Sequence, residues 1–228
     1  MTKAKPARKP QSPRRSSGTA AADADTESRI LQAARDVFTR NGTAGARMQD
    51  IAREAGVNQA LLHYYFRSKQ ALADRVFREA AATLHAALPQ TLRPDAPLAE
   101  IFRAFVHTYI ETVRRTPFLP GYLAAEAHHD PARFARLFAD VTGKDPRSAA
   151  AAMIARVQAL IDARVGSGEM RPMRAEHLIV TVVSLLAFPF VARGVLTGAR
   201  VFDDAAFDRF LDERRDELPR LLLNAVRP

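Results

Sequence analysis

Apolar residues recur at the spacing of an α-helix along most of the chain. Over residues 26–40 they stand at i, i+1, i+4, i+7 and i+8, which places five of them on one helical face: Ile30, Leu31, Ala34, Val37 and Phe38. The pair Asn41 and Gly42 is expected to end this helix, because both residues tolerate a positive φ. No alternating strand pattern competes with the helical one, so the sequence predicts an all-α protein.

The same pattern predicts nine further helices. The next three are closely spaced and are expected over residues 48–55, 59–66 and 68–88. Asn58 suits the N-cap of the helix over 59–66, and Ser68 suits the N-cap of the helix over 68–88. Gly56 is expected to end the helix over 48–55, and Pro89 the helix over 68–88. Six more helices are expected over residues 97–115, 118–127, 131–140, 146–165, 174–196 and 203–226. Pro189 is expected to kink or interrupt the helix that contains it.

Basic charge is concentrated near the N-terminal end of the 228 residues. The formal net charge is +9, of which residues 1–25 carry +4, residues 26–70 carry +3 and residues 71–228 carry only +2. This asymmetry favours an anionic partner, a nucleic acid or a membrane surface, at one end of the protein. The chain has no cysteine, which excludes disulfide scaffolds, thiolate metal sites and cysteine nucleophiles.

These patterns predict three regions in the chain. Residues 1–25 are expected to form a disordered basic arm, either a phosphate contact or a solvated leader, and residues 26–70 and 71–228 are expected to fold as two helical domains. The longest uncharged apolar stretch, residues 178–192, has 15 residues, whereas a membrane-spanning helix needs about 20. The N-terminus carries no secretory signal, so the sequence predicts a cytoplasmic protein with no membrane partner.

Residues 48–66 place a short helix, a turn and a second short helix close together. Ala52 is small where two such helices would approach each other, and Gly56 supplies the turn. The outer face of the second helix carries short or polar groups that can contact bases or phosphates: Gln59, Ala60, His63, Tyr64 and Arg67. The segment therefore predicts a helix-turn-helix whose second helix is free to enter a DNA major groove.

The segment Arg29–Leu72 resembles the N-terminal domain of the TetR (tetracycline-repressor-like) transcriptional regulators. The resemblance rests on the first helix ILQAARDVF, the NG after it, IAREAGV, and YYFRSK before the fourth helix. It implies a homodimer that binds palindromic double-stranded DNA through its N-terminal domains. It also implies a C-terminal domain that dimerises, binds a small-molecule effector and releases the DNA. A repressor is expected, with an activator or a ligand-independent DNA-binding protein as the alternative.

The resemblance also implies which residues of the second helix contact DNA. Gln59 matches a position that reads bases, and Ala60 matches one that touches a thymine methyl group or allows close approach. His63 and Tyr64 match an aromatic pair, although His63 replaces the usual first Tyr. Tyr64 is expected to donate to a phosphate and His63 to contact a base or a phosphate. The alternative is that either ring packs against a neighbouring helix.

Two basic residues outside that helix complete the expected DNA interface. Lys69 matches a phosphate-binding Lys of the family, at a helix N-terminus that itself favours an anion. Arg47 stands where the family often has a Ser or Thr that caps the helix and bonds a phosphate. The sequence leaves two candidates for that contact, the guanidinium of Arg47 and the hydroxyl of Thr43.

Aromatic residues recur at helical spacing in the predicted C-terminal domain. They are expected to line an effector pocket together with one carboxylate: Phe102, Phe105, Tyr109, Phe118, Tyr122 and Glu126. The alternative is that the rings form the core of a helical bundle. His128 and His129 lie close to Glu126, but adjacent imidazoles point in different directions, so no metal site and no cofactor are expected.

The helices predicted over residues 146–165 and 174–196 are both apolar and are joined by a short turn. Doubled by a two-fold axis, they predict a four-helix bundle between two subunits, and the alternative is burial within one subunit. The sequence has no GxSxG, HExxH, P-loop or dinucleotide-binding glycine motif. We therefore expect a regulator rather than an enzyme.

Overall fold

The computed structural model describes the backbone of residues 17–228 and the side chains of residues 22–228. This part of the chain contains eleven helices and no β-strand, which confirms the all-α prediction. The helices are α1 (Ser17–Gly45), α2 (Met48–Glu54), α3 (Gln59–Tyr65), α4 (Lys69–Thr91), α5 (Leu98–Arg114), α6 (Leu119–His129), α7 (Pro131–Thr142), α8 (Pro146–Gly166), α9 (Ala175–Val191), α10 (Arg193–Gly198) and α11 (Asp204–Val226).

Helix α1 begins before its predicted start, whereas its predicted end is confirmed. It begins at Ser17 rather than Thr26, since the Ala-rich segment before Thr26 favours helical backbone. As the Asn41 and Gly42 pair predicts, the helical backbone breaks at Gly42, whose φ is 65° and ψ is 168°, and a short helical segment then continues to Gly45. The basic residues of the predicted arm stand at positions 3–15 and lie outside the described residues. The arm therefore stays a prediction, while residues 17–25 are helical.

Two prolines lie inside helices. Pro89 does not end α4, which continues to Thr91. Pro189 lies in the last turn of α9, and a separate helix, α10, follows. Because Pro189 has no N–H, it leaves the carbonyl of Leu185 without its helical donor. Arg214 of α11 donates to that carbonyl instead, with Nη2 at 2.6 Å and Nε at 3.2 Å.

The buried residues form two cores, and α4 contributes to both. The first core joins α1–α4 to α6 and α7, with Phe38 and Phe77 fully buried near Leu119. The second core joins α5, α8, α9 and α11, and the C-terminal half of α4 packs against it through Leu84 and Leu88. The predicted boundary between residues 70 and 71 falls at the start of α4. One helix therefore connects the helix-turn-helix to the rest of the chain.

Helix α9 is strongly apolar, with no charged residue between Glu176 and Arg193. It packs against α8, as the predicted hairpin requires. Its outer side leaves large apolar side chains exposed: Val180, Val183, Phe188 and Val191. Neither α9 nor any other helix within residues 17–228 combines the length and the apolar character needed to cross a membrane.

Candidate functional site

Helices α2 and α3 form the predicted helix-turn-helix. Arg47 stands at the N-cap of α2 without a side-chain cap hydrogen bond. The backbone N–H of Val57 donates to the Ala52 carbonyl at 3.0 Å, and Gly56 adopts a φ of 64° between them. Asn58 then caps α3 by accepting a backbone N–H at 2.7 Å. These local hydrogen bonds set the angle at which α3 leaves α2.

The outer face of α3 is open to solvent. Four of the predicted contact residues share it, and Arg67 follows just beyond the helix: Gln59, Ala60, His63 and Tyr64. Leu62 lies on the opposite face and is fully buried in the first core. Tyr64 is 79% exposed. Large aromatic side chains are seldom this exposed unless they contact a binding partner. Arg47, at the start of α2, is exposed as well.

Lys69 makes structural hydrogen bonds that its sequence position did not indicate. Its Nζ donates to the carbonyls of Ala44, at 2.9 Å, and Ala46, at 3.0 Å. Both carbonyls belong to the end of α1 and the connection to α2. An ammonium group has three donors, so one proton remains for a phosphate. Lys69 therefore holds the start of α4 against the segment that leads into the helix-turn-helix.

Known proteins share this arrangement in sequence. The family described as bacterial regulatory proteins, tetR family, matches residues 30–76. The HTH-type transcriptional regulator RutR of Escherichia coli (strain K12) is 31% identical over 202 residues, which cover 87% of this chain and 89% of RutR. The chain belongs to the TetR family. It is a DNA-binding transcriptional regulator with a helix-turn-helix.

Solved structures share the fold of this TetR-family regulator. The hemolysin II transcriptional regulator HlyIIR has a TM-score of 0.60 at 21% identity, covering 90% of this chain and 99% of HlyIIR. FadR from Bacillus subtilis, solved in complex with stearoyl-CoA, has a TM-score of 0.58 at 14% identity, covering 87% of this chain and 98% of FadR. At these identities the likeness concerns the fold alone.

The six predicted effector residues of the regulator do not lie in one pocket. Phe102 and Phe105 line a cavity of about 210 Å³, here called the apolar cavity, between the C-terminal end of α4 and helices α5, α8 and α9. All of its lining side chains are Leu, Ile, Val, Met or Phe. Tyr109 is buried against Phe190, with ring centroids 6.4 Å apart, and burial raises the pKa of Tyr109 to about 12. Tyr109 therefore belongs to the second core.

Phe118 and Tyr122 line a different space. It is a cleft of about 620 Å³, here called the junction cleft, between the end of α1 and helices α6, α9 and α10. Its walls are residues of the segment 38–44, the first two turns of α6, and a third group from the end of α9, from α10 and from the start of α11: Phe190, Arg193, Gly194, Thr197 and Asp204. The cleft thus separates the helix-turn-helix side of the molecule from its C-terminal part.

Glu126 lies in a third place, a buried group of polar side chains here called the Arg133 network. Arg133 of α7 donates to the carboxylates of Asp74 and Glu126, and each of these side chains is less than a fifth exposed. The Tyr122 hydroxyl donates to Asp74 at 2.8 Å and accepts from Arg133 at 3.1 Å, while the Gln70 amide lies 3.2 Å from it. Burial and the Asp74 carboxylate raise the pKa of Tyr122, so its hydroxyl remains a donor.

Helix α8 holds the opposite end of α4. Arg156 donates from Nη2 to the carbonyls of Pro89, at 2.8 Å, and Leu92, at 3.0 Å. Arg164 donates to the Pro94 carbonyl at 2.8 Å, just beyond that end. Three sets of contacts therefore hold α4. Its first residue, Lys69, bonds to the α1–α2 connection, its second turn joins the Arg133 network, and its end is bonded to α8.

Proposed function

We propose that this regulator is a repressor that binds a palindromic operator as a homodimer and is released from it by a small molecule. The observation that carries the proposal is the exposed face of α3, with polar groups and an uncovered Tyr64 on one side and Leu62 buried on the other. An α-helix fits the major groove of B-form DNA, and a helix-turn-helix presents such a face to it.

The exposed groups suit distinct roles at that groove. The Gln59 amide can form two hydrogen bonds with adenine, and Ala60 allows close approach or meets a thymine methyl group. His63 contacts a base or a phosphate, and the hydroxyl of Tyr64 donates to a phosphate. Arg47 adds a charged phosphate contact at the start of α2. Sequence is read by the first residues of α3, while the others hold the helix in register.

The homodimer is supported by the outer face of α8 and α9. Val180 is 64% exposed and Phe188 is 63% exposed, on a helix whose central part carries no charge. Alanines at helical spacing are exposed beside them on α8: Ala151, Ala155, Ala159 and Ala163. Small residues let a second helix pair approach closely, and an exposed apolar face of this kind marks an interaction site. A second copy covers it by two-fold symmetry, as in a four-helix bundle.

The apolar cavity is our choice for the effector of the proposed repressor. Leu88 of α4 and Leu92, which follows its last residue, face Met153 and Val157 of α8 across it. An apolar molecule there would separate the helices that Arg156 joins, and so move the end of α4. The complex of FadR with stearoyl-CoA supports an acyl chain or a similar apolar group as part of the effector. The effector releases DNA only if it binds the free state more tightly than the DNA-bound state.

The operator test compares labelled DNA from upstream of the regulator's own gene with scrambled DNA by fluorescence anisotropy, across a salt series. We expect tighter binding to the upstream DNA at physiological salt, and a lower transcript level when the protein is added to a transcription reaction. Gln59→Ala should reduce the preference by about 10- to 100-fold for each half-site, because one bidentate base contact of about 1–3 kcal/mol is lost from each subunit of the dimer.

Gln90→Ala is the matched control, since Gln90 is exposed on α4, away from the helix-turn-helix. It should leave the preference for upstream DNA unchanged. Equal binding of the wild-type protein to both DNAs, lost as salt rises, would contradict an operator in that region. A rise in transcript level would identify an activator instead.

Lys69→Met is expected to weaken both folding and DNA binding. The substitution keeps most of the apolar stem but removes both hydrogen bonds to the α1–α2 connection. We expect the free energy of unfolding to fall by about 1–2 kcal/mol, together with a salt slope of operator binding lower by about 1 for each subunit of the dimer. Urea denaturation and anisotropy measure the two effects.

Arg67→Met is the control for that experiment, because Arg67 is exposed close to the same helix start. It should lower the salt slope without changing the urea midpoint. If Lys69→Met also left the midpoint unchanged, Lys69 would be a phosphate contact without the structural role that its two carbonyl partners indicate.

A further inference from the structure

The junction cleft has a chemical character unlike that of the apolar cavity. Its floor is aromatic, since Phe118 and Tyr122 lie with ring centroids 6.5 Å apart, and the fully buried Phe38 packs behind Phe118 with centroids 5.5 Å apart. Its walls add the hydroxyl residues Thr39 and Thr43. A flat apolar molecule with a polar end matches this combination, whereas a simple alkyl chain does not.

Two guanidinium groups and one carboxylate also line the cleft. Arg40 reaches Glu54 at 2.8 Å and Arg193 reaches Asp204 at 2.9 Å, in each case through Nη2. Each guanidinium has five N–H donors, so both keep donors for another acceptor. Arg193 is held over the ring of Phe207, 5.1 Å from its centroid. Each guanidinium is therefore already neutralised by one carboxylate, and what the cleft offers a ligand is the remaining N–H donors of Arg40 and Arg193.

Helical glycines keep the cleft open. Gly121 of α6 and Gly194 of α10 both line it, and a Cβ built on either would meet no atom within 4 Å. Neither glycine has the positive φ that would require glycine for backbone reasons. Their effect at these two positions is to leave space beside the aromatic floor.

We propose that the junction cleft is a second ligand site of this regulator, which takes a small aromatic monocarboxylate. The ring system lies on Phe118 and Tyr122, and the carboxylate accepts hydrogen bonds from Arg40 and Arg193. A guanidinium and a carboxylate form charge-assisted hydrogen bonds, which are stronger than those between neutral groups.

Both walls of the cleft lead to the first turns of α4. On one wall, the carbonyl of Ala44 accepts from Lys69, the first residue of α4. On the other wall, the hydroxyl of Tyr122 donates to Asp74, in the second turn of α4. A ligand between these walls contacts both partners of α4 at once. Its binding is therefore coupled to the position of the helix-turn-helix.

The binding experiment uses naphthoate as the probe and its neutral analogue naphthamide as the comparison, titrated calorimetrically into the full-length protein without DNA. We expect naphthoate to bind at least about 10-fold more tightly than naphthamide, because its charged carboxylate forms stronger hydrogen bonds with the guanidinium groups than a neutral amide does. Gly194→Leu fills the cleft and should abolish the binding of naphthoate.

Gly198→Leu is the matched control, since Gly198 lies on the same short helix, is equally unobstructed and does not line the cleft. It should leave the affinity for naphthoate within about twofold of the wild-type value. Phe102→Leu, in the apolar cavity, should do the same. No binding of naphthoate to the wild-type protein, or equal affinities in the two glycine variants, overturns the proposal.

Coupling is tested by measuring the affinity for naphthoate with and without bound operator DNA. We expect the two values to differ by roughly 5- to 150-fold, and the operator affinity to change by the same factor when naphthoate is present. Tyr122→Phe keeps the aromatic floor and removes the hydroxyl that reaches Asp74. It should retain binding of naphthoate and lose most of the coupling. Binding of naphthoate without any coupling would contradict the link to α4. The titration without DNA tests the ligand site independently of which operator the regulator binds.

Discussion

Replacing Arg133 with Ala is expected to lower the free energy of unfolding by about 3 kcal/mol or more, because it leaves two carboxylates without their cation. Asp74 and Glu126 are each less than a fifth exposed, so water screens them only weakly once the guanidinium is gone. The substitution also removes a donor to the hydroxyl of Tyr122. Urea denaturation followed by circular dichroism measures the loss.

Arg136→Ala provides the control on the same helix, one turn later, where the side chain is exposed. It should change stability by no more than about 0.5 kcal/mol. A triple variant, Arg133→Met with Asp74→Asn and Glu126→Gln, removes all the charges and should recover much of the stability. If Arg133→Ala unfolded at the wild-type urea concentration, the network would not contribute to the folded state.

Phe188→Glu is expected to convert the proposed dimer to a monomer and to weaken operator binding by on the order of 100-fold or more, since two linked half-site contacts become independent. Phe188 is 63% exposed within one subunit, so the substitution costs little in the isolated chain. Across a two-fold interface it would bury two carboxylates in apolar surroundings. Sedimentation velocity and anisotropy with operator DNA measure the two effects.

Leu221→Glu is the control, because it tests whether replacing any exposed apolar residue with Glu would also dissociate the dimer and weaken operator binding. Leu221 is 55% exposed on α11, outside the α8 and α9 face. It should leave both the assembly state and the operator affinity unchanged, while circular dichroism checks the fold of both variants. A Phe188→Glu protein that stayed dimeric would place the interface elsewhere.

The DNA-binding half of the protein was largely predictable because its determinants are local. The turn at Gly56, the cap at Asn58 and the exposed residues of α3 all depend on neighbours within a few positions, and the structure has them as the pattern predicts. Lys69 was only partly predictable. Its position near a helix start indicated a phosphate contact, whereas its two carbonyl partners lie 25 and 23 positions earlier in the chain.

The C-terminal half shows where a hydrophobic pattern stops being informative. Helical periodicity correctly marked aromatic residues as inward-facing, but it did not state which element each one meets. Phe102 therefore lies at the apolar cavity, Tyr109 in the second core and Phe118 at the junction cleft. Glu126, expected beside these rings as a ligand contact, is bound to Arg133 in the network that includes Tyr122, and its contact with an effector stays a prediction.

The sequence by itself determined the helical class, most helix bounds, the helix-turn-helix and the family, because periodicity, capping and short motifs act over a few residues. Only the tertiary structure decided what joins those helices. Arg133 meets Asp74 across 59 positions, and Arg214 supplies the hydrogen bond that Pro189 withholds from Leu185 across 29 positions. Such contacts depend on how complete helices pack against each other, and no local pattern of residues records that packing.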